Sequence, residues 1–289
     1  MIGPKTAKAI KPYKFDVSPE ITINGIIPIT PPIKPTLKFN IAGGPFSWWR
    51  FNLPYVNGTL IWEKDQLIIT NLVSDCYDGR LNGNAFFDFS PLEGNDFTFN
   101  IAFSKLNSRK LILDAFQKTN TIDGLLTGNL NISKANTISF DSWQGSGNVS
   151  LENGLIWEIS LFGIFTPILN SIWPGVAKSR ATDAQASFVI SNGIIRSDDL
   201  CINSPPLVLK YSGVVDFKGN VDARMEANLL RNSWLIGKVI NLAMSPVTKL
   251  LEYKIKGTIT NPKLEPVFIP KFLFFPLQPI KTLREIFKP

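Results

Sequence analysis

The chain contains no histidine. That single absence excludes Ser-His-Asp and Cys-His nucleophiles, histidine general acid–base chemistry, and any histidine-ligated metal or haem. Cysteine is nearly absent too. Cys76 and Cys201 are too few for a disulfide framework or a four-cysteine zinc site, and leave open either one bridge or two free, largely buried thiols. Charged residues make up only 18% against 44% hydrophobic, so the chain can build a core and is not a disordered polyelectrolyte. Long apolar runs are missing. The nearest, residues 155–177, is broken by Glu158, Ser160, Thr166, Pro167, Asn170 and Ser171, so no membrane-spanning helix is expected. The first residues lack the apolar stretch of a secretory signal, which predicts either part of a longer reading frame or a cytosolic chain. No Gly-x-Ser-x-Gly elbow, strand-linked Gly-x-Gly-x-x-Gly, Walker loop, paired-cysteine motif or RNP-like motif occurs. No catalytic residue, cofactor, metal or nucleic-acid partner is therefore expected.

What is present is β-like. Nine of the 21 prolines fall in residues 1–55, which reads as an extended segment with edge strands, because proline has no N–H for a central ladder. From Asn57 onward, β-branched and aromatic residues alternate with polar ones between turn residues. Residues 60–70 split into a hairpin at 63–66. Asn153-Gly154 and Asn192-Gly193 each predict a hairpin with a type I′ turn, and Lys218-Gly219 sits between two strictly alternating runs. A degenerate repeat of glycine followed by a strand recurs at Gly83, Gly128, Gly147, Gly213 and Gly257. Its spacing is too irregular for a propeller or a regular solenoid. It suits successive strands of one long sheet, in which the glycines either mark bulges that curve the sheet or simply open each strand. Three helices are expected, at 107–118, 159–172 and 229–251, the last two apolar over most of their circumference and so either buried or facing lipid.

The net charge of +7 sits at the ends. Lys5, Lys8, Lys11 and Lys14 open the chain, and residues from Ser245 onward carry a net +5. These are either solvated tails or contacts to an anionic membrane surface. The apolar, basic stretch 271–289 is open to the same two readings, an interfacial anchor or a tail packed on the core. Asp198-Asp199 reads as a turn or strand end, since adjacent carboxylates on a strand point to opposite faces unless a bulge intervenes. Asp75, Cys76 and Asp78 read as a loop. Asn57, Asn131 and Asn148 match the glycosylation pattern by chance in an asparagine-rich chain. Trp157, Leu161, Phe162, Phe165, Leu169, Trp173 and Trp234 are the lipid-contact candidates, with core packing as the competing role. Phe165→Asp is the substitution expected to separate the two.

The order of several blocks resembles the C-terminal region of the AsmA-like family, similar to TamB- and YhdP-type envelope proteins. These blocks are Tyr77-Asp-Gly-Arg-Leu-Asn-Gly83, Asp123-Gly-Leu-Leu-Thr-Gly128, Gly145-Ser-Gly-Asn-Val149 through Gly163, Ser179 through Leu200, Gly213-Val-Val-Asp-Phe217 and the closing Gly257-Thr-Ile-Thr-Asn-Pro-Lys263. The resemblance covers roughly residues 57–270. It implies a mainly β fold, a long curved antiparallel sheet forming an open groove with two or three inserted apolar or amphipathic helices. The chain is expected to divide into the proline-rich segment 1–55, the region of resemblance at 56–270 and the apolar, basic tail 271–289. The resemblance also implies a non-enzymatic protein of the Gram-negative cell envelope and periplasm, working in lipid transport and outer-membrane biogenesis. The partners would be phospholipid, a membrane surface and envelope proteins of the inner or outer membrane. The alternative is a membrane-associated scaffold that helps assemble outer-membrane proteins.

Overall fold

A computed structural model describes residues 13–29, 36–48, 50–116, 123–172, 181–204, 207–230 and 247–269. It is mainly β. Contacts divide the chain into two units, residues 1–151 with 189–193, and residues 152–188 with 194–289. In the first unit lie β1 (Tyr13–Phe15), β2 (Glu20–Ile26), β3 (Thr36–Gly43), β4 (Phe46–Trp48), β5 (Phe51–Leu53), β6 (Tyr55–Glu63), β7 (Gln66–Cys76), β8 (Gly79–Asp88), β9 (Asp96–Asn107) and β10 (Leu125–Asn136). Then come β11 (Gln144–Gly154), β12 (Ala181–Ser191), β13 (Ile194–Ser204), β14 (Leu207–Asp216), β15 (Asn220–Leu230), β16 (Val247–Thr258) and β17 (Pro262–Phe268). Fourteen strands form one antiparallel sheet in the order β17 back to β6, then β3 and β2. The two end strands do not pair, so the sheet is open. β1, β4 and β5 form a separate three-stranded sheet.

Nearly every neighbour in the large sheet is also a neighbour in sequence, the meander that short turns enforce. Asn192 and Gly193 take φ of 50° and 72° between β12 and β13, the left-handed pair that the Asn-Gly signal demands. The hairpins at 63–66 and Lys218-Gly219 form as expected. The one expected at Asn153-Gly154 does not. Asn153 is left-handed (φ 53°), but the following Leu-Ile-Trp turns into a 3-10 helix at Ile156–Glu158, where Ile156 and Trp157 are buried.

Three of the five repeat glycines sit beside bulges, whereas Gly257 sits in regular pairing with Val221 and Pro262. Gly83 pairs with Leu72 where β7 carries an extra residue at Asn71, and Gly128 pairs with Phe103 where β9 carries an extra residue next to Lys105. Gly213 pairs with Ser197 beside a third bulge, at Asp198-Asp199. The extra residues Asn71 and Lys105 are left-handed (φ 53° for each), and side chains of the adjacent strands accept their N–H groups. Asn84 Oδ1 accepts from Asn71 at 3.1 Å, and Thr127 Oγ1 accepts from Lys105 at 3.0 Å. Asp198-Asp199 is therefore a mid-strand bulge and not the expected turn or strand end. Its Asp199 carboxylate accepts from the Ser187 hydroxyl and, at 2.8 Å, from the Ser187 N–H. Those bonds hold its pKa below the usual carboxylate value.

Helices are few. α1 (Ser108–Phe116) lies within the expected 107–118. The expected 159–172 helix is two short pieces, α2 (Ser160–Gly163) and α3 (Thr166–Ile172), with Pro167 in the first turn of α3 where proline is tolerated. The expected 229–251 helix is corrected at both ends. Leu229 and Leu230 finish β15, and residues 247–251 begin β16, paired across β15 by Ala227–Leu251 and Leu229–Thr248. Residues 231–246 lie outside the described residues, as do all of 271–289 and the first three N-terminal lysines. No helix among the described residues is long and apolar enough to cross a membrane.

Candidate functional site

The register of the first unit sorts side chains by face, because neighbours opposite one another on paired strands share a side. One row across β3, β6, β7, β8, β9 and β10 reads Leu37, Trp62, Leu67, Phe87, Phe97, Ala135. The next row on the same side reads Phe39, Leu60, Ile69, Ala85, Phe99, Ile132. Beyond the bulge it continues as Ile41, Gly58, Leu72, Gly83, Ile101, Leu130, and β2 adds Ile21 and Ile23 opposite Ile41 and Phe39. Ser74 is a polar residue on this face. It is buried, and its hydroxyl donates to the Tyr55 carbonyl at 2.8 Å.

The opposite side carries Asn40, Thr59, Thr70, Asn84, Asn100 and Asn131 in one line, with Thr36, Glu63, Gln66, Asp88, Asp96 and Asn136 in another. A patch of Ile61, Ile68 and Phe86 interrupts it. Asparagine is thus used repeatedly as a water-facing strand residue. The sheet is amphipathic across seven strands.

Most of the apolar side is only half-buried. Ile132 is wholly buried and Phe97 is 8% exposed, but Trp62, Phe87, Phe99, Ile101 and Leu130 keep part of their surface in solvent, and Ile23 at the β2 edge is 58% exposed. The aromatic rings shield one another. Trp62 stacks on Phe89 (5.4 Å), Phe87 on Phe97 (5.9 Å) and Phe97 on Phe99 (6.2 Å), while Trp143 meets Phe97 edge-on at 5.3 Å. At the far end of the strands the face is closed. Cys76, Tyr77 and Leu106 form a cluster with Leu81, Phe103 and Leu126 of the sheet, Phe51 and Leu53 of β5, and Leu111 of α1.

Beside that closed end is an open depression of about 790 Å³. Its lining includes Asp75, Asp78 and Asp114 together with Arg80, Lys105 and Lys110, a balanced set of charges. Tyr77 and Asp78 form the β7–β8 turn with φ of 51° and 62°, a left-handed pair without glycine. The turn is held from outside. The Tyr77 hydroxyl donates to Asp114 of α1 at 2.9 Å, the Asn107 N–H donates to the Tyr77 carbonyl at 2.7 Å, and Lys110 donates to Asp78 at 2.6 Å. Asn52 of β5 donates to the same Asp114 oxygen from its backbone and its amide, both at 3.1 Å. Burial raises the Tyr77 phenol and the Cys76 thiol, so both stay protonated near neutrality. This is a clamp that fixes a turn. No group of acidic or sulfur ligands among the described residues is arranged to hold a metal. The two cysteines are both free.

In the second unit the apolar side of β14, β15 and β16 carries Leu209, Tyr211, Ala227, Met225, Leu251 and Tyr253, all buried. The sequence-derived lipid-contact residues are found here. Phe165 and Leu169 are fully buried and Trp157 is 8% exposed, while Leu161 and Phe162 are half-buried. Phe165 meets Tyr253 edge-on at 5.8 Å and Phe162 meets Tyr211 edge-on at 5.1 Å. They seal a sheet face. Trp173 and Trp234 lie outside the described residues. None of the described lipid-contact residues lies on the open side of the first unit, although the alternation Phe97-Thr-Phe99-Asn-Ile101 was available to signal it.

No family model, no curated protein and no solved structure matches this chain. The resemblance to AsmA-like proteins therefore rests on the quoted residues alone.

Proposed function

We propose that this is a non-enzymatic lipid-binding protein of the cell envelope, whose first unit shields acyl chains against the apolar side of its sheet. The observation that supports this reading is the sorting of side chains across β2, β3 and β6 to β10. One side is aliphatic and aromatic and half-buried, and the other is lined largely with asparagine and threonine. A soluble protein seldom leaves so large a contiguous apolar surface without a ligand or partner. Acyl chains need no directional contacts, and a surface of phenylalanine, isoleucine and leucine offers none beyond dispersion and exclusion of water. Curvature of this sheet into a groove, residence in the periplasm and carriage of phospholipid between membranes belong to the same reading.

The test is native mass spectrometry with lipid extraction, on protein exported in a Gram-negative host behind an added signal peptide. An equally handled β-protein serves as the control. Phospholipid retained at near-stoichiometric amounts, and absent from the control, is the expected result. A lipid-free, well-folded protein would reject acyl-chain binding and turn attention to the scaffold role.

A further inference from the structure

The two edges of the large sheet are built differently. At one edge, β17 reads Pro-Lys-Leu-Glu-Pro-Val-Phe. Pro262 and Pro266 lack N–H groups, Lys263 and Glu265 are exposed, and the register slips between Glu252 and Tyr253 of the neighbouring strand. Prolines, charges and an irregularity are the devices by which sheets stop other strands from adding. At the other edge, β2 reads Glu-Ile-Thr-Ile-Asn-Gly-Ile, with no proline and no lysine. Its pairing with β3 is unbroken over seven residues, from Glu20–Ala42 to Ile26–Thr36. All seven of its residues are exposed, and no strand among the described residues pairs with its outer side. Ile21 and Ile23 continue the apolar side of the sheet, at 46% and 58% exposure.

We propose that β2 is a dimerisation edge, pairing antiparallel with β2 of a second copy of this chain. The strand is complementary to itself. A two-fold axis through Ile23 sets Ile21 opposite Gly25, Thr22 opposite Asn24 and Glu20 opposite Ile26 of the partner copy. No like charges meet, and Ile21 and Ile23 of both copies stay on one side. The apolar surface of one copy then runs on into the other across a paired seam. The blunted β17 edge stops growth at two copies.

Sedimentation velocity on the full chain at micromolar concentration tests this. The expected mass is twice the monomer, falling to one copy in Ile23→Lys and unchanged in Glu265→Lys on the opposite edge. Hydrogen exchange at β2 gives a variant-free check, with protection of residues 20–26 present at high concentration and lost on dilution. A monomer at every concentration would overturn the proposal. So would a mass above two copies, a folded Ile23→Lys that still dimerises, or a Glu265→Lys that dissociates. A monomer whose β2 amides stay protected on dilution would place another segment of this chain on the edge and overturn it as well.

Discussion

The two units write the same strand pattern and finish it differently. In the second, Phe162 and Phe165 cover Tyr211 and Tyr253, and both tyrosines are buried. In the first, Trp62, Phe87 and Phe99 line the apolar side of the sheet and stay half in solvent. What separates them is the insert between strands. Between β11 and β12 the chain supplies a 3-10 turn and two apolar helices, whereas between β9 and β10 it supplies α1, which reaches only the closed end of the face. An alternating strand thus creates an apolar side, and the connections decide whether it becomes core or surface.

That contrast can be broken at several points. The largest effect is expected at Phe165. Truncation to alanine removes a fully buried ring and should cost about 3–5 kcal/mol in a denaturant titration, and Phe165→Asp should unfold the second unit outright, seen as lost far-UV circular dichroism. A mild effect at Phe165 would mean the seal is loose. Phe99→Ala in the first unit loses only part of a buried ring and should cost about 1–2 kcal/mol, while reducing retained lipid. Equal losses at the two sites would erase the difference between them. Asn84→Ala removes the acceptor for the Asn71 N–H at the β7 bulge and should cost about 0.5–1 kcal/mol, with amide exchange at Asn71 accelerated.

The smallest expected effect is a pH dependence. Asp199 has its folded pKa depressed by the Ser187 hydroxyl and N–H. Its stabilising contribution is therefore complete above the ordinary value of 3.8 and fades as pH falls below it. Asp199→Asn should flatten that part of the stability–pH curve. An unchanged curve would deny the bulge its carboxylate clamp.

The turns were readable in the residues because their signals are local. Asn192-Gly193 and Gly219 supply the left-handed backbone their turns need, whatever surrounds them. Asn153-Gly154 carries the same signal, yet the run after it is drawn into covering the second unit, a tertiary demand that no turn motif records. The helix expected at 229–251 had leucine, valine and isoleucine at spacings that fit a helix, while Leu229–Thr248 and Ala227–Leu251 pairing commits its ends to strands. The candidate site was half legible. Alternation marks Phe97, Phe99, Ile101 and Phe103 as one side of a strand, but which strands share that side depends on register and on bulges at Asn71 and Lys105. Large apolar residues in the helices drew the lipid-contact expectation to Trp157 and Phe165, and those rings pack inward.

The central claim is that acyl chains reach the apolar side of the first unit and not that of the second. Tryptophan quenching by phospholipid brominated on its acyl chains tests it directly, comparing the full chain with Trp62→Phe and Trp157→Phe. Quenching that falls in Trp62→Phe and persists in Trp157→Phe is the predicted result. Quenching unaffected by loss of Trp62, or lost with Trp157, would contradict it.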